Sequence, residues 1–316
     1  MPPRWKVWTA LGIVDVVWGS TYLAIAYVVD GLPPLLTAAA RFYLAAAMLG
    51  LIVVVRKGPA AFRGTTRGYL NAGGIGLLLL LGGNGGVMIA EDRGLPSGLT
   101  ALLIAVVPLY VVLLRILFRD RPTRRTVTGI VLGFAGLGVL LLPGTRPDGV
   151  RASGAVIVLI GSLLWALGSV LASRIQLPKD RLVTTAAQIL GGAIGLTIVG
   201  FARGESGPTG HVPLSAWIAF AYLVTFGTVA AFTAYSWLLG NVPVSKAATY
   251  AYVNPVVAVV LGALIKKEHV TGLSIIGGLI TVVAVAVVVS ESPKLAVEKE
   301  GQDPEDLQGR IRSSAT

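Results

Sequence analysis

Ten stretches of the chain are apolar on every side, with short polar clusters between them. They run near 7–28, 35–56, 68–90, 97–118, 127–143, 152–173, 182–202, 215–239, 245–265 and 271–290, each close to the ~20 residues that carry an α-helix across ~30 Å of hydrocarbon. A transmembrane barrel would alternate apolar and polar positions in strands of about ten residues. Leu77–Leu81 and Val282–Val289 instead are apolar without alternation. The pattern predicts an all-α integral membrane protein with ten transmembrane helices.

Polar residues inside these runs are few, and the segment ATYAYVNPVVAVV, residues 247–259, gathers several of them. Tyr250 and Asn254 are four residues apart and share a helix face, with Thr249 beside them. Pro255 removes a backbone hydrogen bond within the same helix. Irregular backbone at membrane depth is tolerated where protein or a water-filled cavity satisfies it, so the segment predicts one wall of a central cavity. The alternative is that these groups only bond neighbouring helices.

Internal similarity sharpens that expectation. Trp18 in VVWGSTYLAI and Trp165 in LLWALGSVLA stand 147 residues apart, as do Pro108 in AVVPLYVVLL and Pro255. Asp120 and Glu268, each ahead of a Gly-rich helix, are separated by 148. The chain therefore reads as two five-helix repeats, 1–143 and 152–290, followed by a polar tail at 291–316 with no apolar periodicity, expected to be disordered. Five being odd, the second repeat enters the membrane inverted relative to the first.

Composition narrows the class further. The chain has 316 residues, 54% of them hydrophobic and 13% charged, and a mean hydropathy of +0.79, outside the range of soluble domains. The net charge of +11 points to topology rather than nucleic acid. With the N-terminus inside, 17 Lys and Arg fall in inside segments and 6 in outside loops, as the positive-inside rule requires. Both termini are thus expected in the cytoplasm. The first apolar run is too long for a signal peptide and is read as a retained helix. There are no cysteines.

WGSTYLAI, Arg41-Phe42, GLPSGLTALLIAVVP and ATYAYVNPVVAVVLG resemble the EamA family of the drug/metabolite transporter superfamily, in particular its PecM-like members. The resemblance covers about residues 10–290. It implies two inverted five-helix repeats around a substrate cavity lined by the first, fourth, sixth and ninth helices among others, and the export of small metabolites or amino acids. Asp15 and Arg115 depart from the usual pattern.

Candidate residues follow. Asp15, Trp18 and Tyr22 form one stripe of the first helix, and Ser162, Trp165 and Ser169 lie 147 positions later on the sixth. Trp18, Tyr22, Trp165, Gln188, Thr249, Tyr250 and Asn254 are the expected substrate-binding residues. A charged residue at mid-membrane is a functional candidate by default, so Asp15 is a candidate protonation switch. Arg41 is its candidate partner in coupling, either reaching Asp15 or the cavity, or bonding backbone carbonyls. Pro108 and Pro255 are the expected hinges. Glu91 is expected to be solvated, and Gly129–Gly133 to pack helices within or between monomers.

No HExxH, Walker A or GxSxG sequence occurs, so no enzyme activity, metal or cofactor is expected. The expected function is a secondary transporter, an exporter in an inner or plasma membrane, working by alternating access on a small-molecule substrate, as a monomer or homodimer within the lipid bilayer. The competing readings are a membrane-embedded enzyme or assembly factor, and a lipid or drug translocator.

Overall fold

The computed structural model describes residues 3–117, 122–142, 152–208, 210–242 and 250–291; Asp120, Lys246, Thr249 and the tail from 292 onward lie outside them. Ten helical spans follow the ten apolar runs, and no strand occurs among the described residues. They are α1 (Arg4–Val29), α2 (Pro34–Lys57), α3 (Thr66–Asp92), α4 (Ser97–Leu117), α5 (Arg124–Leu140), α6 (Ala152–Ala172) and α7 (Arg181–Ala202). The remaining three are α8, in the joined segments Leu214–Tyr222, Leu223–Ala230 and Ala231–Asn241, then α9 (Tyr250–Ile265) and α10 (Gly272–Glu291). Eight are long and apolar enough to cross a membrane. The other two, α5 and α9, have 17 and 16 residues.

Local chemistry sets the helix starts. Thr65, Thr123 and Asp180 cap α3, α5 and α7 by accepting bonds from backbone N–H groups of the first turn. Pro33 and Pro96 precede α2 and α4 and offer no side-chain acceptor. There the second half of the chain supplies the caps. Glu205 Oε2 accepts from Leu35 N and Leu36 N, both at 2.9 Å. Glu268 accepts from Ser97 N and Oγ at 2.9 and 2.8 Å and from Gly98 N at 3.0 Å. A carboxylate at a helix N-terminus also meets the positive end of its dipole.

These contacts fix directions. Glu205, just beyond α7, meets the start of α2, while Lys57 at the end of α2 pairs with Asp180 at the start of α7. The two helices are therefore antiparallel, and the bundle has a Lys57 end and a Glu205 end. Packing is reciprocal between halves: α1 packs on α8 and α9, and α6 on α3 and α4; α3 lies on α7, and α2 on α8; α2 pairs with α7, and α5 with α10.

Close approach needs missing side chains. A Cβ at Gly76 of α3 would collide with the Gln188 carbonyl of α7. Gly129 of α5 lies against Val288 of α10, and Gly133 against Leu109 of α4, so that GxxxG pair packs within the monomer. Outward, large apolar side chains such as Leu51, Val131, Ile160, Ile198, Ile218 and Val283 remain exposed on many helices. In water so broad an apolar surface would drive association; in lipid it is the solvated face.

Candidate functional site

A cavity of about 140 Å³ lies within the bundle, with lining residues from α1, α2, α3, α4, α6, α8 and α9. It is smaller than the ~300–1,000 Å³ typical of ligand pockets and suits a compact solute. Of the residues expected from sequence, Trp18, Tyr22, Arg41, Pro108, Trp165, Tyr250, Asn254 and Pro255 all line it. Asp15 and Gln188 do not; the backbone carbonyl of Gln188 lies against Gly76 of α3, and Thr249 is outside the described residues.

The aromatic wall is built around Trp18. Its ring centroid is 5.0 Å from that of Tyr250, edge-on, with Tyr235 at 5.1 Å and Phe232 at 5.4 Å. Edge-to-face contacts of this kind hold rings in place. Trp18, Tyr235 and Tyr250 also pack on an apolar cluster of Val7, Leu11, Val14 and Leu238, which belongs to the first part of α1 and the last part of α8. On the opposite wall Trp165 lies against Gly83, where a Cβ would meet the indole at 2.6 Å.

Two interruptions of ordinary helix border the cavity. Leu77–Asn84 of α3 and Leu223–Ala230 of α8 are wound as π-helix, a conformation that recurs at functional sites. The first brings Leu80, Gly83 and Asn84 to the cavity, and the second Gly227. The sequence reading missed both. The available signal was LGGN and TFGT, glycine and polar residues set in apolar runs. In the second segment the Thr228 hydroxyl donates to the Leu223 carbonyl, five residues back, at 2.9 Å. It also accepts from Arg41 Nε at 2.8 Å.

Arg41 is thus anchored from α8 and not by an ion pair to Asp15. It is 4% exposed, stacks over Phe42 at 4.8 Å, and its Nη1 has no hydrogen-bond partner among the described residues. Asn254, with its amide turned so that donors meet acceptors, donates to the carbonyls of Asp15 at 2.9 Å and Tyr250 at 3.2 Å, tying α9 to α1. Pro108 follows a break in α4, between Ser97–Ile104 and Val107–Leu117, whereas Pro255 sits inside a continuous helix. Each lacks the N–H for the carbonyl four residues back. Those residues, Ile104 and Ala251, both line the cavity.

The Glu205 end carries a second polar group. Lys266 pairs with Asp30 Oδ2 at 2.9 Å and donates to the Ala26 carbonyl at 2.9 Å, fastening the loop after α9 to the end of α1. Glu91, expected to be solvated, is 6% exposed, and neither carboxylate oxygen has a hydrogen-bond partner among the described residues. Glu268, Lys266, Asp30 and Tyr22 are its electrostatic neighbours.

Comparison with known proteins agrees with this geometry. Residues 6–142 and 152–290 each match the EamA-like transporter family. An "Uncharacterized inner membrane transporter YedA" of Escherichia coli (strain K12) is 41% identical over 253 residues, 80% of each chain. A "Probable amino-acid metabolite efflux pump" of Salmonella typhimurium is 25% identical over 276 residues, 85% of this chain and 89% of its own. A protein solved by crystallography superposes with a TM-score of 0.63 at 20% identity, covering 90% of this chain and 98% of its own. That last likeness concerns the fold.

Proposed function

The chain belongs to the EamA-like transporter family and is a multi-pass membrane transporter, and from that premise we propose that it exports small metabolites of the amino-acid class by alternating access. The observation that carries this reading is the cavity, to which helices of both halves contribute an aromatic wall and a few polar groups. The mechanism is a rocking of two inverted five-helix repeats, 1–143 and 152–290, about that cavity. Reciprocal packing of α1 with α8 and α9, and of α6 with α3 and α4, supports the two-fold relation. So does the antiparallel pairing of α2 with α7.

In this mechanism the aromatic side chains Trp18, Trp165 and Tyr250 enclose the apolar part of the solute, and Tyr22 and Asn254 bond its polar part. Pro108 and Pro255 let α4 and α9 bend as the repeats exchange positions. Binding energy that differs between the two states moves the equilibrium. Energy comes from a gradient or from exchange, with Asp15 the proposed proton carrier. Export as the direction rests on the printed name of the efflux-pump relative.

The test is transport by purified protein in proteoliposomes loaded with a panel of amino acids and related metabolites. Efflux of at least one solute above that from empty liposomes is expected. Filling the cavity with Ser162→Trp should abolish it while size-exclusion profile and Tm stay close to the parent's. Undiminished efflux in that variant would move the pathway away from this cavity. For coupling, an imposed pH gradient is applied to parent and Asp15→Asn. Gradient-driven accumulation retained in full by Asp15→Asn removes Asp15 from that role.

A further inference from the structure

Arg41 is a cation placed where nothing described neutralises it. Among the described residues that line the cavity it alone is charged; the other polar lining groups are neutral, namely Thr21, Tyr22, Asn84, Ser162, Tyr250 and Asn254, with the two indoles. A guanidinium has five N–H donors and no acceptor. One of these, on Nε, is used on Thr228, and Nη1 has no partner among the described residues. A buried charge is kept where it meets a counter-charge or serves an ion pathway. Here the described wall holds no counter-charge and the cavity is beside the cation.

We propose that Arg41 is the anion subsite of the cavity, taking the carboxylate of the transported solute, so that a carboxylate is an obligatory part of the substrate. This deepens the transporter reading and rests on it. The planar fork of arginine suits a carboxylate, which accepts two parallel N–H bonds. The fork is held in place: Thr228 fixes Nε, and the Thr228 hydroxyl is itself oriented by the Leu223 carbonyl through the π-turn of α8. A movement of α8 against α2 therefore shifts the anion subsite, which links occupancy to the conformational exchange.

The geometry also says what the solute is not. A solute bearing only a cationic group would bring a second positive charge beside Arg41 with no acid among the described lining residues to offset it. The amine left by removing the carboxylate of an amino acid is such a solute. The carboxamide analogue has the shape, but its neutral amide group cannot form the charge-assisted pair and leaves the amine without a carboxylate.

The experiment uses the full chain in detergent and in proteoliposomes, with matched probe sets: L-leucine, L-leucinamide and isoamylamine, and L-phenylalanine, L-phenylalaninamide and phenethylamine. Binding is read from quenching of tryptophan fluorescence, since Trp18 and Trp165 line the cavity, and transport from efflux. The expected result is binding of at least one free acid, with its amide and amine at least tenfold weaker. Arg41→Gln should lose acid binding at least tenfold. Arg41→Lys, keeping charge without the fork, should retain part of it. Thr228→Val, which leaves the charge but frees Nε, should weaken acid binding and tests the subsite if Arg41→Gln does not fold. Amides or amines that bind or move as well as the acids overturn the inference and leave the transporter reading standing. Acids that bind through Arg41 yet are not transported overturn the transporter reading and leave the subsite. If none of the six probes binds or moves, the subsite for amino-acid carboxylates is refuted along with that substrate class.

Discussion

Glu268, Glu205 and Glu91 gather at one end of the bundle, and their surroundings set different tasks. Glu268 accepts from Ser97 N, Ser97 Oγ and Gly98 N, closing the first turn of α4 from the far half of the chain. Glu205 does the same for α2, whereas Glu91 is buried without a hydrogen bond from a described residue. Truncating a carboxylate that holds several N–H and O–H donors leaves those donors unpaired, at a cost of about 2 kcal/mol. Glu268→Ala is therefore expected to lower the Tm of the purified protein in detergent, and Glu91→Gln, which replaces a buried carboxyl that no described donor meets, to melt no lower than the parent. A fall in Glu91→Gln as large as in Glu268→Ala would assign Glu91 a bonding role. From sequence Glu91 read as solvated because it lies near a helix end; the segment Gly85–Asp92 that carries it packs on α1, α2 and α6, a tertiary enclosure that no local pattern encodes. At the other end, partial burial would raise the carboxyl of Asp180. The bond and charge of Lys57 and the N–H groups of Val183 and Leu182 outweigh that and hold it below its ordinary value. A depressed carboxyl contributes stability above its unfolded value and loses it as pH falls through the folded one. Asp180→Ala should thus cost about 1 kcal/mol, the usual worth of an N-cap, at neutral pH, and melting curves of variant and parent should converge as the pH is taken below the carboxylate range.

At the scale of elements, the helices were legible because a membrane span announces itself by length and apolarity alone, and the ten runs coincide with α1 to α10 to within a few residues where described. The π segments were not legible. Their winding is settled by what packs against them: Leu77–Asn84 wraps α6 and α7, and Leu223–Ala230 lies on α2, bonded through Thr228 to Arg41. The proline pair was legible as a pair but not in its asymmetry. Pro108 follows a real break in α4, with Ala105 and Val106 in a turn, while α9 runs through Pro255 unbroken. Supplying an N–H at 108 would let Ile104 accept a helical bond and straighten α4; at 255 it would bond a carbonyl in a helix already regular. Pro108→Ala is therefore expected to reduce transport more than Pro255→Ala, with both variants monodisperse in detergent. Equal and parental rates in the two would make both prolines packing features. The same experiment bears on the hinge reading because a straightened α4 withdraws Ile104 and Ala105, which line the cavity, from their present positions.

For the whole molecule, the bundle's two ends differ in charge in a way that predicts its orientation in the membrane. The segments at the Lys57 end contain Arg4, Lys6, Arg56, Lys57, Arg63, Arg67, Arg124, Arg125, Arg174, Lys179 and Arg181, whereas the Glu205 end has Arg93, Arg203, Lys266 and Lys267 among the described residues. Translocating a loop rich in Lys and Arg is disfavoured, so the Lys57 end is expected in the cytoplasm together with both termini. The antiparallel fit of α2 against α7 makes the two halves testable together: Gly58–Thr65, after α2, and Arg203–Pro213, after α7, must lie on opposite faces. Because the chain has no cysteine, single substitutions report accessibility without background. Ala60 and Ser206 are both exposed. In intact cells Ser206→Cys should react with a membrane-impermeant maleimide, and Ala60→Cys only after permeabilisation. Labelling of both from outside would require an even number of crossings between them, against the five helices α3 to α7. Labelling of Ala60→Cys alone would place the Lys57 end outside and invert the protein, against the distribution of Lys and Arg between the two ends.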